Sequence, residues 1–143
     1  MNKKLIVGMV VALLVGGYAA YSFAKPKPID KSKIKGTIYV LPKSFTLNMT
    51  DGRYATLTVA LNLAPGQSDG ASPEAAPSDN GFGTLPEEPA IRDIITNIVT
   101  NQNSQALISD TGRERTKRAI LKAITTQTDV KVSAVLFTDV AVQ

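Results

Sequence analysis

From Leu5 to Phe23 the chain runs for nineteen consecutive residues without a charge. At about 1.5 Å rise per residue, a helix of that length reaches about 28 Å, close to the hydrocarbon thickness of a bilayer. No other feature restricts the fold as strongly, because a helix committed to a membrane leaves chain enough for one modest domain behind it. Lys3 and Lys4 precede the run, and Ser22-Phe23-Ala24 ends it with small residues where a signal peptidase cuts, so a cleavable signal peptide competes with a retained anchor. The run exceeds the roughly 7 to 15 apolar residues of a signal-peptide core, and Tyr18, Tyr21 and Phe23 suit an interfacial aromatic belt; both favour retention. The expected organisation therefore starts with a cytoplasmic tail over 1–4 and a transmembrane signal anchor over 5–24.

Gly8, Ala12, Gly16 and Ala20 recur every fourth residue and put small side chains along one helix face, where a second helix can approach closely. The general abundance of Gly and Ala in membrane helices is the competing explanation for that spacing. Orientation is opposed by the charge count, since two lysines precede the span and five follow it, which keeps the C-terminal side in the cytoplasm if taken literally. Long domains translocate largely regardless of flanking charge, and a short tail with two lysines has the form of a signal anchor, so the domain is expected on the far side of the membrane.

Composition removes most chemistry. There is no cysteine and no histidine, hence no disulfide framework, no thiolate nucleophile, no imidazole base and no imidazole zinc ligand. The net charge of +4 is unevenly spread. Up to Lys35, seven lysines face one aspartate; from Gly36 onward, nine basic residues face eleven acidic ones. A basic stretch beside an apolar helix reads as a segment drawn to anionic lipid headgroups, and the slightly acidic remainder speaks against nucleic acid as a partner.

Residues 25–36, with Pro26, Pro28 and five lysines, predict a semi-extended basic linker. Order is expected from residue 37. Ile38 to Leu41 is a short β-like run, and Phe45, Leu47 and Met49 alternate with Thr46, Asn48 and Thr50. Asp51-Gly52 then predicts a two-residue type I′ hairpin turn. Beyond it Ala55, Leu57, Val59, Leu61 and Leu63 share one strand face. Residues 65–86 are rich in Gly, Ser, Pro, Ala and Asp and poor in large apolar side chains, which predicts a flexible insertion. Gly81-Phe82-Gly83 within it lacks the downstream Gly-Lys-Ser/Thr of a phosphate loop.

Helical spacing comes next. Ile91, Ile94, Ile95, Ile98 and Val99 form one buried stripe, with Pro89 at its start and Glu87, Glu88 and Asp93 placed to favour the positive end of the helix dipole. Thr111-Gly112-Arg113-Glu114 has the form of a capping box opening a second helix, with Ile120, Ala123, Ile124 and Leu121 toward the sheet. Its other side carries Arg113, Arg115, Lys117, Arg118 and Lys122, either a solvated face or a contact for an acidic partner. Val130, Val132, Ala134, Leu136, Val140 and Val142 alternate as one face of a closing strand. Strands, then two or three helices, then a strand predict an α+β domain on a small antiparallel sheet.

These residues in this order resemble the FliL family of flagellar basal-body-associated membrane proteins. The resemblance rests on Lys3-Lys4 plus the span, Tyr39-Val40, Phe45-Thr46-Leu47-Asn48 and Asp51-Gly52-Arg53-Tyr54. The C-terminal half resembles it more closely, in Pro89-Ala90-Ile91-Arg92-Asp93-Ile94-Ile95, in Leu107-Ile108-Ser109 leading to Gly112-Arg113-Glu114, and in the ending Val135-Leu136-Phe137-Thr138-Asp139-Val140-Ala141-Val142-Gln143. The departures are a longer Gly/Pro-rich insertion and Ala141 in place of a bulkier residue.

The resemblance implies a periplasmic domain over 37–143, similar to the stomatin/prohibitin type, on a single-pass protein of the bacterial inner membrane. It implies further a homo-oligomeric ring around stator units that supports torque, swimming or swarming. Expected partners are flagellar stator and basal-body proteins, further copies of the chain, and membrane lipid through the N-terminal helix. No catalytic residue, cofactor or metal is expected. The partner contact is expected at Arg113, Arg115, Arg118 and Lys122, and helix packing at Gly8, Ala12, Gly16 and Ala20. A stomatin-like membrane scaffold unrelated to motility is the alternative. A hydrolase built on Ser44 beside Lys43 is disfavoured, because adjacent strand residues point to opposite faces.

Overall fold

The computed structural model describes residues 34–70 and 81–143. The expected tail, span and small-residue stripe lie outside the described residues, as does most of the basic linker. Among the described residues, no helix is long and apolar enough to cross a membrane. The element order is β1 (Thr37–Val40), β2 (Phe45–Asn48), β3 (Tyr54–Leu63), α1 (Glu88–Thr100), α2 (Gln105–Ile108), α3 (Asp110–Gln127) and β4 (Val132–Val142). This is an α+β domain with one small antiparallel sheet and three helices, as the order of patterns predicts.

Strand β3 is the centre of the sheet. Ala55, Leu57, Val59, Leu61 and Leu63 alternate along it and are all fully buried, so the period-2 pattern translates directly into a core face. On one edge, β1 and β2 lie end to end against β3, in register from Thr37↔Leu63 to Val40↔Ala60 and from Phe45↔Leu57 to Asn48↔Tyr54. The break between them falls at Leu41–Ser44, where Pro42 has no N–H to give a ladder. Leu41 still donates its N–H to Val59 O at 3.0 Å.

On the other edge β4 runs antiparallel along all of β3, from Ala55↔Val142 to Leu63↔Val132. Register shifts between Thr58 and Val59 and between Asn62 and Leu63 leave Thr138 and Ser133 as extra residues on β4. Each bulge reverses the parity of the strand residues beyond it. The expected single face from Val130 to Val142 is therefore corrected: Ala134 and Leu136 oppose Asn62 and Ala60, on the side away from the core, while Val135 and Phe137 oppose Leu61 and Val59 on the core side. Val135 is buried and Phe137 packs against the core.

The β2–β3 hairpin also departs from the two-residue turn. Met49 N–H bonds Arg53 O at 2.8 Å and Gly52 N–H bonds Met49 O at 3.1 Å. Only Gly52 has positive φ, at 79°, so a type I turn with a left-handed glycine replaces type I′. The longer loop buries Met49 and aims Asp51 at the next layer, where its carboxylate accepts from Ser104 N at 2.9 Å. Hydrogen bonds from Ser104 hold the Asp51 carboxyl below its usual value.

The helices cover the core face of the sheet. Ile91, Ile94, Ile95 and Val99 of α1 are buried and Ile98 packs beside them, as the spacing predicts. Truncating a fully buried residue such as Ile95 to alanine costs about 2–5 kcal/mol in cores of this kind. Helix α3 buries Ile120 and Ile124, with Leu121 and Ala123 partly covered. Its cap is Ser109 rather than Thr111: Ser109 Oγ accepts from Gly112 N at 3.2 Å, and Asp110 to Gly112 already form the first turn. Both hydroxyls fit the capping preference, and Ser109 prevails because it has the extended backbone a cap requires. The buried Thr116 is satisfied by Gln102 Oε1 at 2.7 Å and Gly112 O at 3.0 Å.

The insertion over 65–86 is described only in its two limbs, which are tied to the domain. Lys131 N donates to Gln67 Oε1 at 3.1 Å, Thr84 Oγ1 donates to Asp69 O at 2.8 Å, and Leu85 is buried. Residues 71–80 lie outside the described residues.

Candidate functional site

The cationic face expected on α3 divides when its geometry is resolved. Arg113 is turned inward along the helix. Its guanidinium donates to Leu107 O at 2.9 Å and Ile108 O at 2.7 Å and pairs with Asp110, so it caps the carbonyl end of α2. Lys117 bonds Glu114 at 2.6 Å and sits 5.9 Å from the centre of the Phe137 ring. The bond from Lys117 holds the Glu114 carboxyl below its usual value. Arg115, Arg118 and Lys122 are exposed and have an i, i+3, i+7 spacing, which makes one solvent-facing stripe. Of the four expected contact residues, these three share a face and Arg113 does not.

Two open hollows flank α3. One of about 630 Å³ is lined by Thr50, Asn101, Asn103, Gln105 and Arg115, so the stripe begins at its rim. The other, of about 470 Å³, is lined by Ile108, Arg113, Lys117, Phe137 and Asp139. Among the described residues, no group of three or more Asp or Glu is placed to hold a metal ion.

A second charged cluster lies at the opposite end of the helical layer, where sequence pattern gives no sign of it. Glu88, expected to favour the positive end of the helix dipole, is fully buried. Its Oε2 accepts from the Tyr39 hydroxyl at 2.5 Å and from Gly83 N at 2.9 Å. Leu85 N donates to the Tyr39 oxygen at 3.3 Å. Burial and then the bond to Glu88 push the Tyr39 phenol up to about 12. Glu88 Oε1 has no hydrogen-bond partner among the described residues. The nearest cation, Arg92 Nη1, is 3.8 Å away, too far to bond, and donates instead to Lys43 O at 2.9 Å with its guanidinium 4.2 Å over the Phe45 ring.

The backbone is shaped around this cluster. Glu87 takes φ 60° immediately before the helix, a left-handed conformation uncommon for a residue with a side chain. A Cβ on Gly83 would collide with the Tyr39 hydroxyl and lie 2.9 Å from Glu88 Oε2. The signal in the sequence is slight: Tyr39 has the core parity of β1, opposite Leu61, but the 49 residues separating it from Glu88 hide the pairing.

Comparison with known proteins adds a family. No individually curated protein matches the chain. The family model described as flagellar basal body-associated protein FliL matches residues 38–143. That span takes in every strand residue but Thr37, all three helices, the stripe on α3 and the Tyr39–Glu88 cluster. The chain accordingly belongs to the FliL family of flagellar basal body-associated proteins.

Proposed function

We propose that this chain is an accessory of the flagellar motor, anchored in the bacterial inner membrane by residues 5–24, with the domain over 37–143 in the periplasm. Copies assemble, in the manner of stomatin-type domains, into a ring around stator units and support torque during swimming or swarming. The family match supports the basal-body association, and the uncharged run Leu5–Phe23 supports the anchor. The observation that carries the contact is the stripe Arg115, Arg118 and Lys122, whose side chains make no hydrogen bond or ion pair among the described residues. Cations of this kind set orientation and rate of association more than raw affinity. This reading centres the contact on those three rather than on Arg113, whose guanidinium is occupied at the end of α2.

Deletion of the gene in the flagellated parent, with complementation by the full chain, tests the reading. Loss of swimming under load or of swarming, restored on complementation, is the expected result. Unchanged swimming, swarming and stator localisation would remove the motor role and leave a membrane scaffold unrelated to motility.

A further inference from the structure

We infer that the face of the sheet turned away from the helices docks on an anionic lipid surface through the half that carries Ile38, Val40 and Leu136; the inference rests on the anchor proposed above. Strand parity assigns this face. On β3 it holds Thr56, Thr58, Ala60 and Asn62, the residues between the buried leucines and valine. The register divides it into two halves. One presents Thr46, Thr56, Thr58 and Asp139 and is polar. In the other, Val40, Ala60 and Leu136 form one cross-strand row and Ile38, Asn62 and Ala134 the next, which leaves Asn62 as the one polar member. Five large apolar side chains are exposed among the described residues, and three of them, Ile34, Ile38 and Val40, belong to this half or to the chain just before it. A cluster of that kind, rimmed by polar residues, marks a surface that something covers.

The chain leading into β1 argues for lipid as the occupant. Asn62 Nδ2, on the outer face, donates to Lys35 O at 3.1 Å. Gly36, at φ 113°, lies so close to β3 that a Cβ there would collide with Leu63 O. The segment over 34–36 therefore enters the sheet from its outer side, next to the apolar half. Residues 24–33, which connect it to the uncharged run Leu5–Phe23, reach at most about 36 Å when fully extended. A tether of that length holds the face at an effective concentration on the order of mM, so a docking too weak to act from free solution still closes the face. Charge selects the surface. Lys25, Lys27, Lys31, Lys33 and Lys35 outnumber Asp30 in this stretch, which suits anionic headgroups. Just before β4, Lys131 offsets Asp129 at the same end of the sheet, and Asp139 lies in the polar half. A second copy seated face to face would instead bring two sets of five lysines together. Docking on lipid leaves the helical layer, with Arg115, Arg118 and Lys122, on the side away from the lipid.

Because the chain has no cysteine, Val40→Cys puts a single thiol in the apolar half and Thr125→Cys a single thiol on α3. Each full-length variant is reconstituted at one copy per lipid disc, in phosphatidylcholine alone or with phosphatidylglycerol added. The rate of labelling by an uncharged polyethylene-glycol maleimide is then measured. Val40→Cys is expected to react at least about tenfold more slowly in the anionic discs, the mark of a face closed most of the time, while Thr125→Cys reacts equally in both. Adding Ile34→Asp and Ile38→Asp to Val40→Cys should restore fast labelling in anionic discs. So should Lys31→Glu, Lys33→Glu and Lys35→Glu together, which precede the sheet and carry the test if the aspartates disturb folding. Equal labelling of Val40→Cys in the two discs would overturn the docking. Slowing that survives both sets of changes would do the same, as would slowing that needs two copies in one disc, which assigns the face to a second copy. Intact mass and retention in the discs are read on the same samples. A chain that begins after Ala24 and washes off removes the anchor and the docking with it, whereas a retained chain whose Val40→Cys thiol labels fast removes the docking alone.

Discussion

Two charged clusters of the same domain behave in opposite ways. At one end of the helical layer a single carboxylate, Glu88, is fully buried and ties β1, the 81–86 limb and α1 together. On α3 three cations, Arg115, Arg118 and Lys122, are exposed and tie nothing together among the described residues. Side-chain pattern makes the second cluster conspicuous and the first invisible, yet it is the first that is bonded into the packed interior. A buried charge without its partners costs several kcal/mol, whereas an exposed ion pair contributes about 0–1 kcal/mol. The difference makes the buried cluster the costlier of the two to disturb.

The largest expected effect breaks the comparison at the buried end. Glu88→Ala strands the Tyr39 hydroxyl and the Gly83 N–H inside the core and removes the packing of the side chain. It should lower stability by about 2–4 kcal/mol, read from the denaturant midpoint by circular dichroism. A loss under about 1 kcal/mol would show that water replaces the carboxylate easily and that the cluster is not structural.

Next comes Gly83→Ala. Its methyl group has to displace the Tyr39 hydroxyl, and overpacking of this kind costs about 1–3 kcal/mol. Combined with Tyr39→Phe, which vacates the hydroxyl position, the two changes should cost less than their sum, because they act on one contact.

Base provides a third route to the same cluster. The Tyr39 phenol is raised to about 12 from the ordinary 10.0. The neutral phenol is thus favoured in the folded state, so this contribution to stability is fully present below pH 10 and is lost as pH rises through 12. Absorbance of tyrosinate near 295 nm should show one tyrosine titrating about two pH units above a free phenol, and Tyr39→Phe should abolish that late step.

The smallest effect belongs to α3. Single Arg115→Ala or Arg118→Ala changes should leave the melting curve within about 0.5 kcal/mol of the parent, as for most surface positions. A larger loss would mean that the stripe is bonded within the fold and is less available to a partner than its exposure indicates.

What is legible in the sequence depends on the range of the interactions. The β3 alternation from Ala55 to Leu63 and the isoleucine stripe of α1 are visible in it, because burial on one face imposes a local period. In β4 the same reasoning puts Ala134 and Leu136 on the wrong face, because bulges at Ser133 and Thr138 reset parity and nothing in the residue types announces a bulge. The Asp51-Gly52 pair locates its turn but not the turn type, since the extra loop residues are fixed by tertiary bonds, from Ser104 N to the Asp51 carboxylate and from Thr50 N to Gln102 O. Ser109 escapes notice as a cap because neighbouring hydroxyl residues satisfy the same preference. At the candidate contact, Arg115, Arg118 and Lys122 are recognisable from helical spacing. The diversion of Arg113 to the carbonyls of α2 depends on a short helix that pattern reading does not resolve. Glu88 is hidden by its partners, which lie 49 residues upstream and five residues upstream in a Gly/Pro-rich stretch.

The central claim is that the exposed stripe serves the motor while the buried cluster serves the fold. Swimming speed under viscous load, in a deletion strain complemented with Arg115→Glu, Arg118→Glu and Lys122→Glu together at the parent's protein level, tests it most directly. The account predicts a stably folded protein that fails to restore speed under load, because three reversed charges repel the partner surface. A triple variant that restores the parent's speed would contradict it and move the motor contact to another face of the domain.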